Sequence, residues 1–214
     1  MEDGLRERKK KETRQQISDA ATGLFLERGF DGVTVGEVAE AAGVSPKTVF
    51  NYFPRKEDLL LDRFPGALEE VARVVRERPA GAHPVDALRD LLLRLLAEGD
   101  ALGGYVDRPT FIRFWQVVGE SSALKARVRE YVEELEDVVA RLLAETGGRD
   151  PDGPAVRLAA AWTAAAYRTV YVTGVRRASA GEGGEELRAE LSLLAERVFR
   201  NLRSAVDGCA GLDG

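Results

Sequence analysis

The chain has 214 residues, a formal net charge of −5, 44% hydrophobic residues and only 7% aromatics. That length is too short for two large domains and ample for one with a real core, burying about 70% of the surface its unfolded form exposes. A single histidine, His83, and a single cysteine, Cys209, exclude His-rich metal sites, zinc ribbons, internal disulfides and Cys-X-X-Cys redox chemistry.

The first fourteen residues are charged, with Arg6, Arg8, Lys9, Lys10, Lys11 and Arg14, and no apolar stretch follows them. They do not read as a signal peptide, and a cytoplasmic protein is expected. They read either as a solvated terminus or as an arm for phosphates. The balance of charge does not decide between the two, because residues 1–63 hold 11 Lys/Arg against 12 Asp/Glu.

Helical spacing then dominates. Ile17, Ala20, Ala21, Leu24 and Phe25 predict a helix over 12–28, opened by a Thr13/Gln16 capping box and closed at Gly29. Thr34 with Glu37 opens a short second helix that ends at Gly43. Ser45 caps a third, with Pro46 in its first turn and Pro54 as its stop. A fourth is expected over 56–78, bent or interrupted at Pro65. Longer helices are expected over 85–101, 109–118, 122–145, 154–177 and 185–206, with turns at 78–84, 99–107, 146–154 and 178–184. Period-two alternation is not sustained anywhere, so the fold class expected is all-α. The stretch 158–175 is rich in alanine but carries Arg168 and three threonines. It therefore reads as a helix buried on more than one side, not a membrane span.

Three short helices between 13 and 53, with a glycine turn between the second and third, form a helix-turn-helix pattern. The third helix has a polar exposed face of Ser45, Pro46, Lys47, Thr48, Asn51 and Tyr52, while Val49, Phe50 and Phe53 are expected inward. Asn51 suits an adenine edge, Lys47 a guanine, and the Thr48 methyl a thymine methyl.

The run 34–53 (TVGEVAEAAGVSPKTVFNYF), followed by Lys56-Glu57-Asp58-Leu59, resembles the DNA-binding domain of TetR-family transcriptional regulators. Ile17, Ala20, Ala21, Leu24, Phe25, Gly29 and Phe30 match that family's first helix. The resemblance covers about 13–62. It implies an all-helical homodimer that binds a palindromic operator through three N-terminal helices and a small effector through a larger domain. By position it assigns DNA contact to Thr34, Ser45, Pro46, Lys47, Thr48, Asn51, Tyr52 and Lys56, to which the basic start adds Arg14. Two positions depart from the family: Phe50 stands where tyrosine is frequent, and Arg55 where a small capping residue is frequent.

Downstream, Phe111, Trp115, Tyr131, Trp162, Tyr167 and Tyr171 gather on later helices of a chain otherwise poor in aromatics. They are the candidate lining of a largely apolar effector pocket, with Arg113 and Arg168 as candidate partners for an anionic ligand group. His83 and Cys209 are expected to be a solvated loop residue and a tail residue.

The expected organisation is a basic arm over 1–12, a helix-turn-helix domain over 13–62, a ligand-binding and dimerisation domain over 63–207 and a flexible tail over 208–214. No metal and no cofactor is expected. The leading reading is a ligand-responsive repressor, with operator DNA, a small molecule and a second copy of the chain as partners. An all-helical enzyme that has kept a helix-turn-helix stands against it, without a nucleophile–base motif. So does a binding protein whose DNA half only dimerises.

Overall fold

The computed structural model describes residues 2–98 and 109–209. Among these it is all-α: α1 (Glu2–Arg28), α2 (Val35–Ala41), α3 (Pro46–Tyr52), a 3-10 turn (Glu57–Leu59), α4 (Phe64–Arg76), α5 (Pro84–Glu98), α6 (Pro109–Glu120), α7 (Ser122–Gly147), α8 (Pro154–Ser179) and α9 (Gly184–Gly208). The expected turn at 99–107 lies outside the described residues, as does most of the expected tail. None of the described helices is long and apolar enough to cross a membrane.

Three elements differ from the sequence reading. First, α1 starts at Glu2 rather than 12, so the basic arm is helical. Arg, Lys and Glu are good helix formers, and neither Gly nor Pro interrupts residues 5–22. Second, the expected helix over 56–78 is a 3-10 turn followed by α4, and Pro65 sits in the first turn of α4. There its missing N–H leaves no helical bond unmade, so it starts the helix and does not bend it. Third, α9 runs to Gly208 and Cys209 is buried, so the expected tail does not begin at 208.

The described residues divide into two compact units, one of Met1–Phe64 with Arg113–Val128, the other of Pro65–Ile112 with Arg129–Gly214. The first unit thus takes in a segment that the sequence reading placed wholly in the second domain. Its core is built on Ile17, Ala21 and Phe25 of α1, Val38 and Ala39 of α2, Val49 of α3, and Phe53, Leu59 and Leu61, all at most 1% exposed. Gly29 (φ 79°) and Gly43 (φ 64°) end α1 and precede α3 in left-handed backbone, which glycine adopts without Cβ strain.

In the second unit α9 packs on α5 and on α8. α9 buries Leu187, Leu191, Ala195, Phe199 and Leu202. α8 buries one face of small residues, among them Ala155, Ala159, Ala160, Ala164 and Gly174. Its other face exposes Trp162 (38%) and Val172 (37%), and α9 exposes Leu193 (58%).

His83 is not a solvated loop residue. Its Nδ1 accepts the Val85 N–H at 3.2 Å, capping α5, and its Nε2 lies 3.5 Å from Asp207 Oδ1. Burial, with the positive charge of Arg203 behind it, lowers the imidazole pKa below its ordinary 6.5. A lowered pKa means that the unfolded chain binds the proton more readily. The cap therefore contributes fully above about pH 6.5 and is lost as pH falls through the folded value. His83→Ala should lower stability by about 1 kcal/mol at pH 8. His83→Asn should keep the cap but flatten the rise in melting temperature that the wild type shows from acidic pH toward 7, as scanning calorimetry can read.

Candidate nucleic-acid interface

Thr34 and Glu37 close the expected capping box. The Thr34 N–H donates to Glu37 Oε2 at 2.8 Å, and the Glu37 N–H donates to Thr34 Oγ1 at 3.2 Å. Arg28 completes the corner, with its Nη2 2.5 Å from Glu37 Oε1. The Thr34 backbone N–H, then the Arg28 guanidinium, hold the Glu37 carboxyl at about 2. A carboxylate at the start of α2 would repel an approaching anion, and its pairing with Arg28 removes part of that effect.

Ser45 caps α3 by accepting the Thr48 N–H at 3.1 Å, and the two hydroxyls lie 2.8 Å apart. Pro46 fills the first turn. Ser45, Pro46, Lys47 and Asn51 are exposed, while Thr48 and Tyr52 are half-buried. The inward side of α3 is narrower than expected: Val49 and Phe53 are 1% exposed, but Phe50 is 50% exposed. Val49 and Phe53 are four apart and share a face, whereas one residue turns an α-helix by about 100° and carries Phe50 outward. The outer edge of α3 therefore holds an aromatic ring that the sequence reading placed in the core.

Two residues carried into the DNA-contact set are engaged within the unit. Arg14 Nη1 donates to the Tyr52 carbonyl at 2.9 Å, and its guanidinium lies 4.2 Å from the Phe53 ring centroid. Lys56 Nζ donates to the Phe30 carbonyl at 2.6 Å and lies over the Phe30 and Phe25 rings at 4.2 and 5.6 Å. Desolvation lowers the Lys56 pKa. Arg14 holds the end of α3 and Lys56 the loop that follows α1, roles without a signature in local spacing.

The segment Arg113–Val128 is fastened to the same unit. Arg113 Nε donates to the Leu26 carbonyl at 2.9 Å, Ser121 Oγ donates to Asp31 Oδ1 at 3.2 Å, and Arg127 pairs with Asp58 at 2.8 Å. Arg113 is thus engaged by a backbone carbonyl of α1.

Of the six aromatics expected to line an effector pocket, two pair with each other and the others stand in different surroundings. Phe111 meets Tyr171 edge-on at 6.1 Å. Tyr167 meets Phe199 at 5.4 Å and its hydroxyl donates to the Leu88 carbonyl at 2.6 Å. Burial pushes the Tyr167 phenol well above its usual range. Tyr131 is buried, Trp162 faces outward, and Trp115 stands against Phe114 at 5.2 Å in the first unit. Two clefts of about 530 and 520 Å³ open in the second unit, between α5 and α9 and between α8 and α9. None of the six lines either cleft. Among the described residues no group of His, Cys, Asp or Glu could hold a metal ion.

The pairing of α2 and α3 across the Gly43 turn, with a polar outer edge on α3, defines a helix-turn-helix protein. The family model of bacterial regulatory proteins, tetR family, matches residues 17–62, and that of the MftR C-terminal domain matches residues 105–199. The HTH-type transcriptional regulator TcmR of Streptomyces glaucescens is 33% identical over 152 residues, 70% of this chain and 66% of its own length. The HTH-type transcriptional regulator AcrR of Shigella flexneri is 32% identical over 87 residues, 40% of each chain. This chain therefore spans 40% to 66% of the length of those curated relatives. The crystal structure of Thermus thermophilus FadR, a TetR-family transcriptional repressor in complex with lauroyl-CoA, is 29% identical and superposes with a TM-score of 0.54, covering 90% of this chain and 94% of that one. The chain belongs to the TetR family.

The engaged cations separate from the exposed ones in a stability measurement. Arg14→Ala and Lys56→Ala should each cost about 1–2 kcal/mol, because each removes a charge-assisted hydrogen bond and a cation from an aromatic face. Lys47→Ala and Asn51→Ala should stay within about 0.5 kcal/mol of the wild type. Urea unfolding midpoints at constant slope check all four.

Proposed function

We propose that the protein is a cytoplasmic, DNA-binding transcriptional regulator, a repressor that a small, largely apolar effector releases from a palindromic operator. The observation that carries this reading is the outer edge of α3. Ser45, Pro46, Lys47 and Asn51 are exposed on a helix whose inner side is locked into a core, and base readout needs that presentation.

A palindromic operator requires a two-fold dimer. Its surface is proposed on α8 and α9, where Trp162, Val172 and Leu193 are left exposed although both helices carry a well-packed opposite face. Two copies would then present their α3 helices one DNA turn, about 34–36 Å, apart.

The duplex upstream of the protein's own gene is the probe. Lys47→Ala and Asn51→Ala should each relax base preference at a cost of about 1–3 kcal/mol in a mobility-shift competition. Leu193→Asp, at a site exposed in the single chain, should give a folded monomer by sedimentation and abolish the two-site shift. Full operator affinity in both α3 variants would remove α3 from its assigned role.

An apolar effector is supported by the aromatic pairs Phe111–Tyr171 and Tyr167–Phe199 within the second unit. The lauroyl-CoA found in the Thermus thermophilus relative supports the same class. Binding must differ between the operator-bound and free states to act as a switch, by about 1–3 kcal/mol. Lauroyl-CoA titrated against tryptophan fluorescence should show affinity lowered by operator DNA, by the same factor as lauroyl-CoA lowers operator affinity. Equal affinity with and without operator would exclude long-chain acyl-CoA as the releasing ligand.

A further inference from the structure

We infer that the N-terminal extension of α1 is a second DNA contact, a cationic helical strip that lies along phosphates flanking the groove read by α3. The inference rests on the DNA-binding reading above and adds to it a surface and a physical role.

The helix-turn-helix segment itself is poorly equipped to attract DNA. Residues 15–63 hold five Lys/Arg, namely Arg28, Lys47, Arg55, Lys56 and Arg63, against eight Asp/Glu. Of those five, Arg28 is paired with Glu37 and Lys56 is held on the Phe30 carbonyl. Most of the affinity of proteins for duplex DNA comes from cations that neutralise phosphates and release counterions. A helix-turn-helix whose own body is acidic needs that charge from elsewhere. Residues 6–14 hold six cations, Arg6, Arg8, Lys9, Lys10, Lys11 and Arg14, against two carboxylates, Glu7 and Glu12.

Their placement suits the need. Residues 6–12 are all exposed, and α1 begins to be covered only at Thr13 and Arg14. Arg14 reaches the carbonyl of Tyr52, the last residue of α3, and Gln16 Nε2 reaches the Ala42 carbonyl at the end of α2 at 3.0 Å. The extension therefore leaves the domain beside the end of the DNA-reading helix. From there residues 2–12 continue for about 16 Å at the α-helical rise. Arg6, Lys9 and Lys10 are spaced i, i+3, i+4, as are the pairs Arg8–Lys11 and Lys10–Arg14. Like charges at those spacings oppose helix formation in water. The Arg8–Glu12 pair at 3.4 Å offsets little of this, since both side chains are at least 65% exposed. A polyanion alongside removes the repulsion, so charge complementarity selects a DNA backbone as the occupant.

The full chain carrying Arg6→Gln, Lys9→Gln, Lys10→Gln and Lys11→Gln tests this against the wild type. The probe is a 40-base-pair duplex enriched from a random pool by the wild-type protein, titrated at several KCl concentrations. The wild type should show a plot of log affinity against log salt steeper than the variant's by about 2–4 units, close to 0.9 for each phosphate that the variant no longer neutralises. Preference for the enriched duplex over a scrambled one should be unchanged. Equal slopes overturn the inference, whatever else the extension binds. Loss of sequence preference in the variant also overturns it, because the extension would then be reading bases. A pool from which the wild type enriches no duplex overturns the DNA-binding reading itself. Circular dichroism guards the comparison: these side chains are exposed, so the variant should fold as the wild type does.

Discussion

Everything that α3 can present depends on how α1 holds the ends of two helices too short to stand alone. α2 and α3 have seven residues each, well below the length at which an isolated helix persists in water. The last carbonyls of a helix have no partner within it. Here α1 supplies donors for both ends: Gln16 to Ala42, and Arg14 to Tyr52, where a cation also meets the negative end of the helix dipole. One stripe of α1, Ile17, Ala21 and Phe25, sets the depth of the pair, and two polar side chains on the preceding turn set its angle. Ser18 adds a buried hydroxyl bond to Asp62 at 2.6 Å, fixing the chain just beyond the 3-10 turn.

The same unit reaches across the sequence for its outer support. Arg113, Ser121 and Arg127 bind Leu26, Asp31 and Asp58, partners 69 to 90 residues away. The Arg127–Asp58 pair is only 15–16% exposed on either side. Removing one partner of so shielded a pair costs far more than the pair contributes, because the charge left behind is poorly solvated. α6 begins in the second unit and ends in the first, and α7 returns from the first to the second. The chain therefore passes between the units three times inside or at the start of a helix, counting the junction at Phe64 and Pro65.

The helix-turn-helix was legible in the sequence because its signals are local. Thr34/Glu37, Gly43, Ser45-Pro46 and Pro54 act within one turn of where they stand, and the caps formed as their spacing implied. The boundaries of α7, α8 and α9 fell within about two residues for the same reason, whereas Pro65 marked a start where a bend was expected. What escaped were the long-range roles of polar side chains. Arg14 and Lys56 look like surface cations until the carbonyls of Tyr52 and Phe30 are brought beside them. Phe50 was misplaced because three apolar residues in five do not say which two share a face. The aromatics of the second unit carried too little pattern to separate packing from pocket. Tyr167 is absorbed by Phe199 and Leu88, and Trp162 turns out toward solvent.

Cys209 closes α9 from a buried position, 4% exposed, and it is the only thiol in the chain. A thiol reagent must wait for that end of the helix to open, so the labelling rate becomes a clock for local fraying. The protein thus carries a built-in chemical reporter at one end of the element on which α5 and α8 both pack. Any perturbation that loosens this end of α9 can be timed without introducing a foreign probe, and no competing cysteine confuses the count.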